Sequence, residues 1–430
     1  MRTHTKKLLL VLSAAMLMAT PGFGQKETPP AGGPPKAFTL PAHETYTLAN
    51  GMKVTLVPYG NIPKVSVSLA LRAGALNEPK ELLGVADTTG ELLKEGTSSL
   101  SASALAESAA RMGSTLNVSS GADETGFDMD VLSEYGADAV KLLADVLQHP
   151  LLPESELPRL KANLLRQIAV AKSQPGQIAL ARFRKLMYGD HPYGDTLPTE
   201  ETVNKMTIAD AKKFYAENYG AARAHLYVAG KFDTAAVKKA IESGFAGWAK
   251  GPAAVENVPK PKTQRVLDVT DRPGAPQATV FVGMPVPNAA SPDNVPLSVT
   301  NALLGGSFGS RITSNIREKL GCTYSPSSQV SRRFHDAYWV ETADITTECT
   351  GKSLGEIFGE VKRLQKEPPA AAELRGIESY LSGLFVIQNS SRAALIGQLR
   401  YVDLQGLGDD YLKTYVQKVN AVTPPKAAMY

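Results

Sequence analysis

Six histidines, His4, His43, His149, His191, His225 and His335, are the first candidates for metal binding or general-base work. No two of them share a helical turn, so the two-histidine zinc sites with three- or four-residue spacing are absent. His4 goes with the basic start of the chain, and each of the others is expected to serve packing or the surface. His191, in Gly-Asp-His-Pro-Tyr-Gly, falls in a loop whose glycines and proline favour a structural part. A G-x-S-x-G pattern occurs at Gly305-Gly-Ser307-Phe-Gly309, the spacing of a hydrolase nucleophile elbow. That elbow needs a strand before its serine, whereas residues 295–304 read as a helix. His335 also follows Ser307 too closely to complete a triad of that fold, so the pattern is expected to be a Gly-rich joint between two helices. The run Arg311-Ile-Thr-Ser-Asn-Ile-Arg317-Glu-Lys-Leu-Gly-Cys-Thr-Tyr324 is more informative. Arg317 is expected in the last turn of a helix, where the macrodipole favours a cation, and Tyr324 past Gly321 at the start of a strand. Taken alone, the two residues would pass for a helix-end charge and a half-buried aromatic.

The elements that must position these residues are written twice. A repeat of roughly 210 residues runs through the chain. The alternating run from Lys64 to Arg72, a half-buried strand by its period of two, has its counterpart at 277–284. Arg111-Met-Gly-Ser-Thr-Leu-Asn-Val-Ser-Ser120 lines up with Lys319-Leu-Gly-Cys-Thr-Tyr-Ser-Pro-Ser-Ser328, and Met206-Thr207 matches Val422-Thr423. Both copies read strand, helix, helix, strand hairpin, then helices. The second helices (103–112 and 310–320) each end before a glycine suited to a helix stop, and strands follow at 125–132 and 336–345. Long amphipathic helices come next, at 137–147 and 354–365. Such mixing predicts an α+β fold, two homologous domains each with helices on a largely antiparallel sheet. The expected organisation is a first domain at 42–249, a Pro-rich linker at 250–263 and a second domain at 264–430. The first copy continues from Met206 through a helix, the strand Ala224-His-Leu-Tyr-Val-Ala-Gly230 and a last helix near Trp248. The second has no room for that portion before Tyr430. Either the second domain is C-terminally truncated or it closes its sheet differently, and truncation is expected, since a sheet lacking that strand exposes an edge.

Composition narrows the class. The chain has 430 residues, 43% of them hydrophobic and 20% charged, an ordinary globular balance for two or three domains of roughly 150 residues. Of the formal charge of +4, Arg2, Lys6 and Lys7 supply three units, and the nearly neutral remainder gives no electrostatic reason to expect nucleic acid. Residues 1–24 read as a signal peptide, with a basic start, an apolar run from Leu8 to Ala19 and small residues around Phe23. About 12 apolar residues are too few to span a bilayer, and no later segment reads as a membrane span. Residues 25–41 read as a flexible leader. The mature protein is thus expected to be periplasmic or secreted. There Cys322 and Cys349 can pair, and two separate buried thiols satisfy the sequence equally.

The order Gly-Gly-Ser-Phe-Gly-Ser-Arg, then Arg317-Glu-Lys-x-Gly-x-x-Tyr324, resembles the second domain of the pitrilysin/insulinase family of zinc metallopeptidases. The run from Gly84 to Thr97 (GVADTTGELLKEGT) is similar to that family's active-site helix, and His191-Pro-Tyr-Gly194 and Tyr227-Val-Ala-Gly230 fit its pattern as well. The resemblance covers about residues 45 to 430 and implies half of a clam-shell chamber. In the family's H-x-x-E-H motif two histidines bind zinc and the glutamate is the general base. Here those positions hold Asp87, Gly90 and Glu91, and the third ligand position falls at about Gln167. Two carboxylates four apart without imidazole make a poor zinc site, so no cofactor is expected on this chain.

The other half of the family's chemistry is intact. By resemblance, Arg317 and Tyr324 reach across the chamber, hydrogen-bond the substrate carbonyl and stabilise the oxyanion. Some bacterial members divide zinc and the Arg/Tyr pair between two subunits. The resemblance therefore implies a subunit inactive alone, paired with a zinc-bearing subunit of the same family and acting on extended peptides that dock by strand addition. The alternative is a purely structural subunit, like the core proteins of the respiratory cytochrome complex.

Overall fold

The computed structural model describes residues 38–430. The expected signal peptide and nearly all of the leader lie outside them. The first lobe is built on a six-stranded sheet in the order β1-β2-β6-β3-β5-β4. Its strands are β1 (Glu44–Thr47), β2 (Lys53–Pro58), β3 (Lys64–Leu71), β4 (Asn117–Ser120), β5 (Thr125–Leu132) and β6 (Ala224–Gly230). Every neighbouring pair is antiparallel except β2 and β6. The strands of β5 show why the sheet has two unlike faces. Phe127, Met129 and Val131 are buried in the main core, while the alternate residues Asp128 and Asp130 point to the opposite face.

The helices of this lobe are α1 (Val85–Leu92), α2 (Ala102–Arg111), α3 (Gly136–Gln148), α4 (Leu157–Ser173), α5 (Pro175–Tyr188), α6 (Ile208–Asn218) and α7 (Thr234–Phe245). α3 and α7 pack together, as do α1 and α6, and their apolar faces meet β3, β5 and β6 in one core. The second lobe repeats the plan with a three-stranded antiparallel sheet in the order β7-β9-β8. Its strands are β7 (Gln277–Pro285), β8 (Ser327–Arg333) and β9 (Asp336–Thr346). Among the described residues β7 pairs on one side only. The helices here are α8 (Asn294–Asn301), α9 (Thr350–Lys366), α10 (Ala371–Gln388), α11 (Arg392–Leu404) and α12 (Asp410–Asn420). The fold is α+β, and the two lobes share the order of strands and helices legible in the repeat.

Two departures from the expected elements bear on function. The helix expected at 310–320 is π-helical from Thr313 to Lys319, and a second π-helical turn spans Ala302–Gly306 at the end of α8. Such wide turns often mark functional positions. The strand expected to start at Tyr324 starts instead at Ser327, because Pro326 has no N–H to give to a ladder. Gly113 and Gly321, at φ of 75° and 62°, end the helices before them as expected.

The lobes are joined by exchanged helices. α11 of the second lobe lies on β3 and β6 of the first sheet, and α5 of the first lobe lies on β7 of the second. Leu395, Ile396, Leu399 and Val402 of α11 pack against Val57, Ala70, Tyr227 and Ala229. Phe183 of α5 meets the rings of Phe281 at 6.0 Å and Tyr338 at 5.4 Å. Among the described residues no helix is long and apolar enough to cross a membrane.

Candidate functional site

The positions carried over from the zinc motif lie on α1 and α4. α1 starts where the Glu78 carboxylate accepts from the N–H groups of Gly84 at 3.0 Å and Ala86 at 2.8 Å. Burial pushes that carboxyl up to about 7 against those bonds. Asp87 and Glu91 share one face of the helix, both half-buried. Glu91 is paired with Lys94 at 2.6 Å. Burial first, then the Glu91 charge, raises the Asp87 carboxyl above its ordinary range, with Lys94 opposing.

Gly90, at the position of the base, is buried against β4. A Cβ there would meet Val118 Cγ1 at 3.0 Å and Thr125 Cγ2 at 3.7 Å. Gln167 is exposed on α4. A residue with no side chain, an acid already neutralised by lysine and an outward amide do not fit a zinc ion. Among the described residues no three His, Cys, Asp or Glu side chains converge as metal ligands.

Arg317 and Tyr324 are brought together on the second lobe. Ile312 and Ile316 bury the inner side of their segment. Arg311 makes two bonds of 2.8 Å to Glu373 of α10, and Asn315 donates to Glu356 at 2.8 Å and Glu360 at 3.0 Å on α9. Beside this tied inner side Arg317 is half-buried, its Nε 3.1 Å from Glu318. The loop that follows is held by a disulfide between Cys322 and Cys349, which settles the alternative left open by the sequence. Thr323 adds a 2.7 Å bond to the Asp344 carbonyl. Tyr324 is 77% exposed rather than half-buried, and its ring centroid is 4.8 Å from the Arg317 guanidinium carbon.

Sequence reasoning missed Phe308, which is 72% exposed in the Gly-rich joint and 4.6 Å from the same guanidinium. An apolar residue between glycines in a loop was the signal available for it. The joint itself is tight. A Cβ on Gly305 would lie 2.5 Å from Glu341 Oε2 and 2.6 Å from Ser328 Oγ. Glu341 is buried with no well-aligned hydrogen bond to either carboxylate oxygen, and burial, opposed weakly by the Ser327 backbone, pushes it up to about 8.

Two histidines take the packing parts expected of them. His191 accepts from the Tyr193 N–H at 3.2 Å and meets the Asn257 carbonyl at 3.0 Å. His225 lies between Thr55 Oγ1 at 2.8 Å and Asp403 at 3.1 Å.

Comparison with known proteins agrees with this division. A family model described as insulinase (peptidase family M16) matches residues 54–200, and one described as peptidase M16 inactive domain matches residues 205–381. An uncharacterized zinc protease, YmxG of Bacillus subtilis, is 28% identical over 295 residues, 68% of this chain and 70% of that protein. The non-peptidase homolog YmxG of Helicobacter pylori is 23% identical over 388 residues, 88% of each.

Among solved structures, a peptidase M16 inactive domain from Pseudomonas fluorescens superposes with a TM-score of 0.80 at 24% identity, covering 90% of this chain and 94% of that one. The periplasmic protease PqqL of Escherichia coli gives 0.76 at 17% identity, with 97% of this chain matched to 48% of PqqL. With one family's models matching both lobes, and its fold shared along nine-tenths of the length, the chain belongs to the insulinase-like M16 peptidase family.

Proposed function

We propose that this chain is the zinc-free subunit of an exported, heterodimeric M16 peptidase, and that it supplies Arg317 and Tyr324 to a zinc site held by a partner bearing H-x-x-E-H. The contrast between its two half-sites carries this reading. At the hydrolytic half the base position is a glycine packed on Val118, whereas Arg317 and Tyr324 stand side by side, the arginine half-buried and the tyrosine exposed. A guanidinium and a phenol hydroxyl, fixed before the substrate arrives, donate to a carbonyl oxygen as it gains charge. β4, the outer strand of the first sheet, is a free edge beside α1 on which an extended peptide pairs by strand addition.

The relatives support a subunit that does not hydrolyse alone. One is a non-peptidase homolog and one solved neighbour an inactive domain. PqqL is periplasmic and about twice the matched length, which fits export and the pairing of two such units.

The test co-expresses the chain with a zinc-bearing family subunit encoded beside it and assays unstructured peptides. Arg317→Ala is expected to lower kcat by roughly 10²–10³-fold, and Tyr324→Phe by about tenfold, the range for loss of an oxyanion donor. Unchanged kcat for both, in a complex shown intact by gel filtration, sinks the reading in favour of a structural subunit. A tightly bound equivalent of zinc in the purified single chain would sink the account of Asp87, Gly90, Glu91 and Gln167.

A further inference from the structure

An arginine that is to meet a developing oxyanion must be held still without spending its N–H donors. A carboxylate partner would hold it, but would also occupy those donors and cancel the charge. Aromatic rings hold the guanidinium by its face and leave the edge free.

Arg317 has two such rings, and Glu318 engages only its Nε: the guanidinium carbon lies 4.6 Å from the Phe308 centroid and 4.8 Å from that of Tyr324. Among the described residues its one carboxylate within ion-pair distance is Glu318, at Nε. Phe308 gains little from burial, since it is 72% exposed. Its place is nevertheless set by the backbone. Gly305 and Gly306 lie so close to Glu341, Ser328 and Asn301 that any Cβ would clash, at 2.4 Å from Asn301 Nδ2 in the case of Gly306. On the far side, the Ser310 hydroxyl donates to Thr313 Oγ1 at 2.9 Å. The Gly-rich joint therefore presents the ring at one spot, between two π-helical turns, the second of which carries Arg317.

We infer that Phe308 is a positioning residue: its ring fixes the plane of the Arg317 guanidinium so that the N–H groups not engaged by Glu318 reach the substrate carbonyl. This rests on the reading of Arg317 proposed above, and two measurements separate the two. The first needs no partner and no activity. In the mature single chain, the Nε–Hε resonance of Arg317, assigned by its loss in Arg317→Lys, is expected to be shifted by ring current. Phe308→Leu should abolish the Phe308 part of that shift, and Phe308→Trp should keep one. A resonance unmoved by Phe308→Leu overturns the inference.

The second measurement uses the complex with the zinc-bearing subunit. Phe308→Leu is expected to lower kcat two- to fivefold with KM nearly unchanged, roughly the rate equivalent of an exposed cation–π contact. Phe308→Trp should restore it, which mere loop packing would not do. If Arg317→Ala depresses kcat while Phe308→Leu does not, the positioning role falls and the subunit reading stands. If Arg317→Ala changes nothing, the subunit reading falls, and with it the catalytic use of the clamp. The resonance then decides whether the contact itself exists.

Discussion

Val118 lies so close to Gly90 that loss of the base and the fit of β4 against α1 are one packing event. Restoring a side chain there would need the Val118 methyl to give by a few tenths of an ångström, so the degenerate motif is tied to the packing of β4 on α1. Glu341 poses the opposite case, a carboxyl kept in the core without a well-aligned partner. Its pKa is raised from 4.5 to about 8, so the folded state holds a proton that the unfolded chain releases above its lower value. The stability is fully present at acid pH and is lost as pH rises toward 8, by on the order of a few kcal/mol. Glu341→Gln mimics the protonated form. The gap in Tm between this variant and the parent is expected to open in the variant's favour from about pH 5 to about pH 9. Parallel Tm curves would refute the assignment. Arg317 and Tyr324 were legible only through the resemblance to a family motif, because a motif records side chains. Phe308 and Glu341 were not, because their parts depend on where two glycines let the backbone come close.

Among elements, α11 shows how one helix can be committed to the other lobe. Its Asp403 accepts from His225 Nδ1–H at 3.1 Å and from Lys53 at 2.9 Å, while Thr55 donates to His225 Nε2 at 2.8 Å. Burial alone would raise the Asp403 carboxyl, but the bonds from His225 and Lys53 hold it down at about 2. A depressed carboxyl contributes stability above its unfolded value, and that contribution is lost as pH falls toward 2. Asp403→Ala removes the carboxylate shared by His225 and Lys53 and leaves the His225 Nδ1–H only the Tyr227 hydroxyl, at 2.9 Å. It is expected to cost about 2 kcal/mol at neutral pH and to flatten the acid limb of the stability curve. Denaturant midpoints at two pH values check this, and an unchanged acid limb would count against the clasp. The strands β3, β5, β6 and β7 were readable because period-two alternation survives in them. The π-helical turns were not, since a wide turn of five to seven residues is too short to leave a period of its own in the sequence.

At the scale of the molecule, the exchange of α5 and α11 ties the lobes into one structure. Tyr188 of α5 donates to Asp336, and Arg72 of the first lobe sits 4.4 Å from the Phe334 ring of the second. Neither sheet keeps both faces covered if the lobes part. The protein is therefore expected to unfold in a single calorimetric transition, with van't Hoff and calorimetric enthalpies in agreement. Phe183→Ala should lower that one Tm, at a cost of about 2 kcal/mol, without splitting it. Two separated transitions would show that the lobes are independent.

The sequence by itself determined the α+β class, the duplication, the absence of a zinc set and the spacing of Arg317 and Tyr324. The first two follow from periodicity and the last two from residue types at the positions of a family motif, and neither needs a partner from elsewhere in the chain. Only the tertiary structure decided that Cys322 and Cys349 pair, that Tyr324 faces solvent, that Val118 fills the space beside Gly90 and that α5 and α11 change lobes. Each depends on two segments far apart in sequence meeting at one place, and no local pattern encodes that meeting.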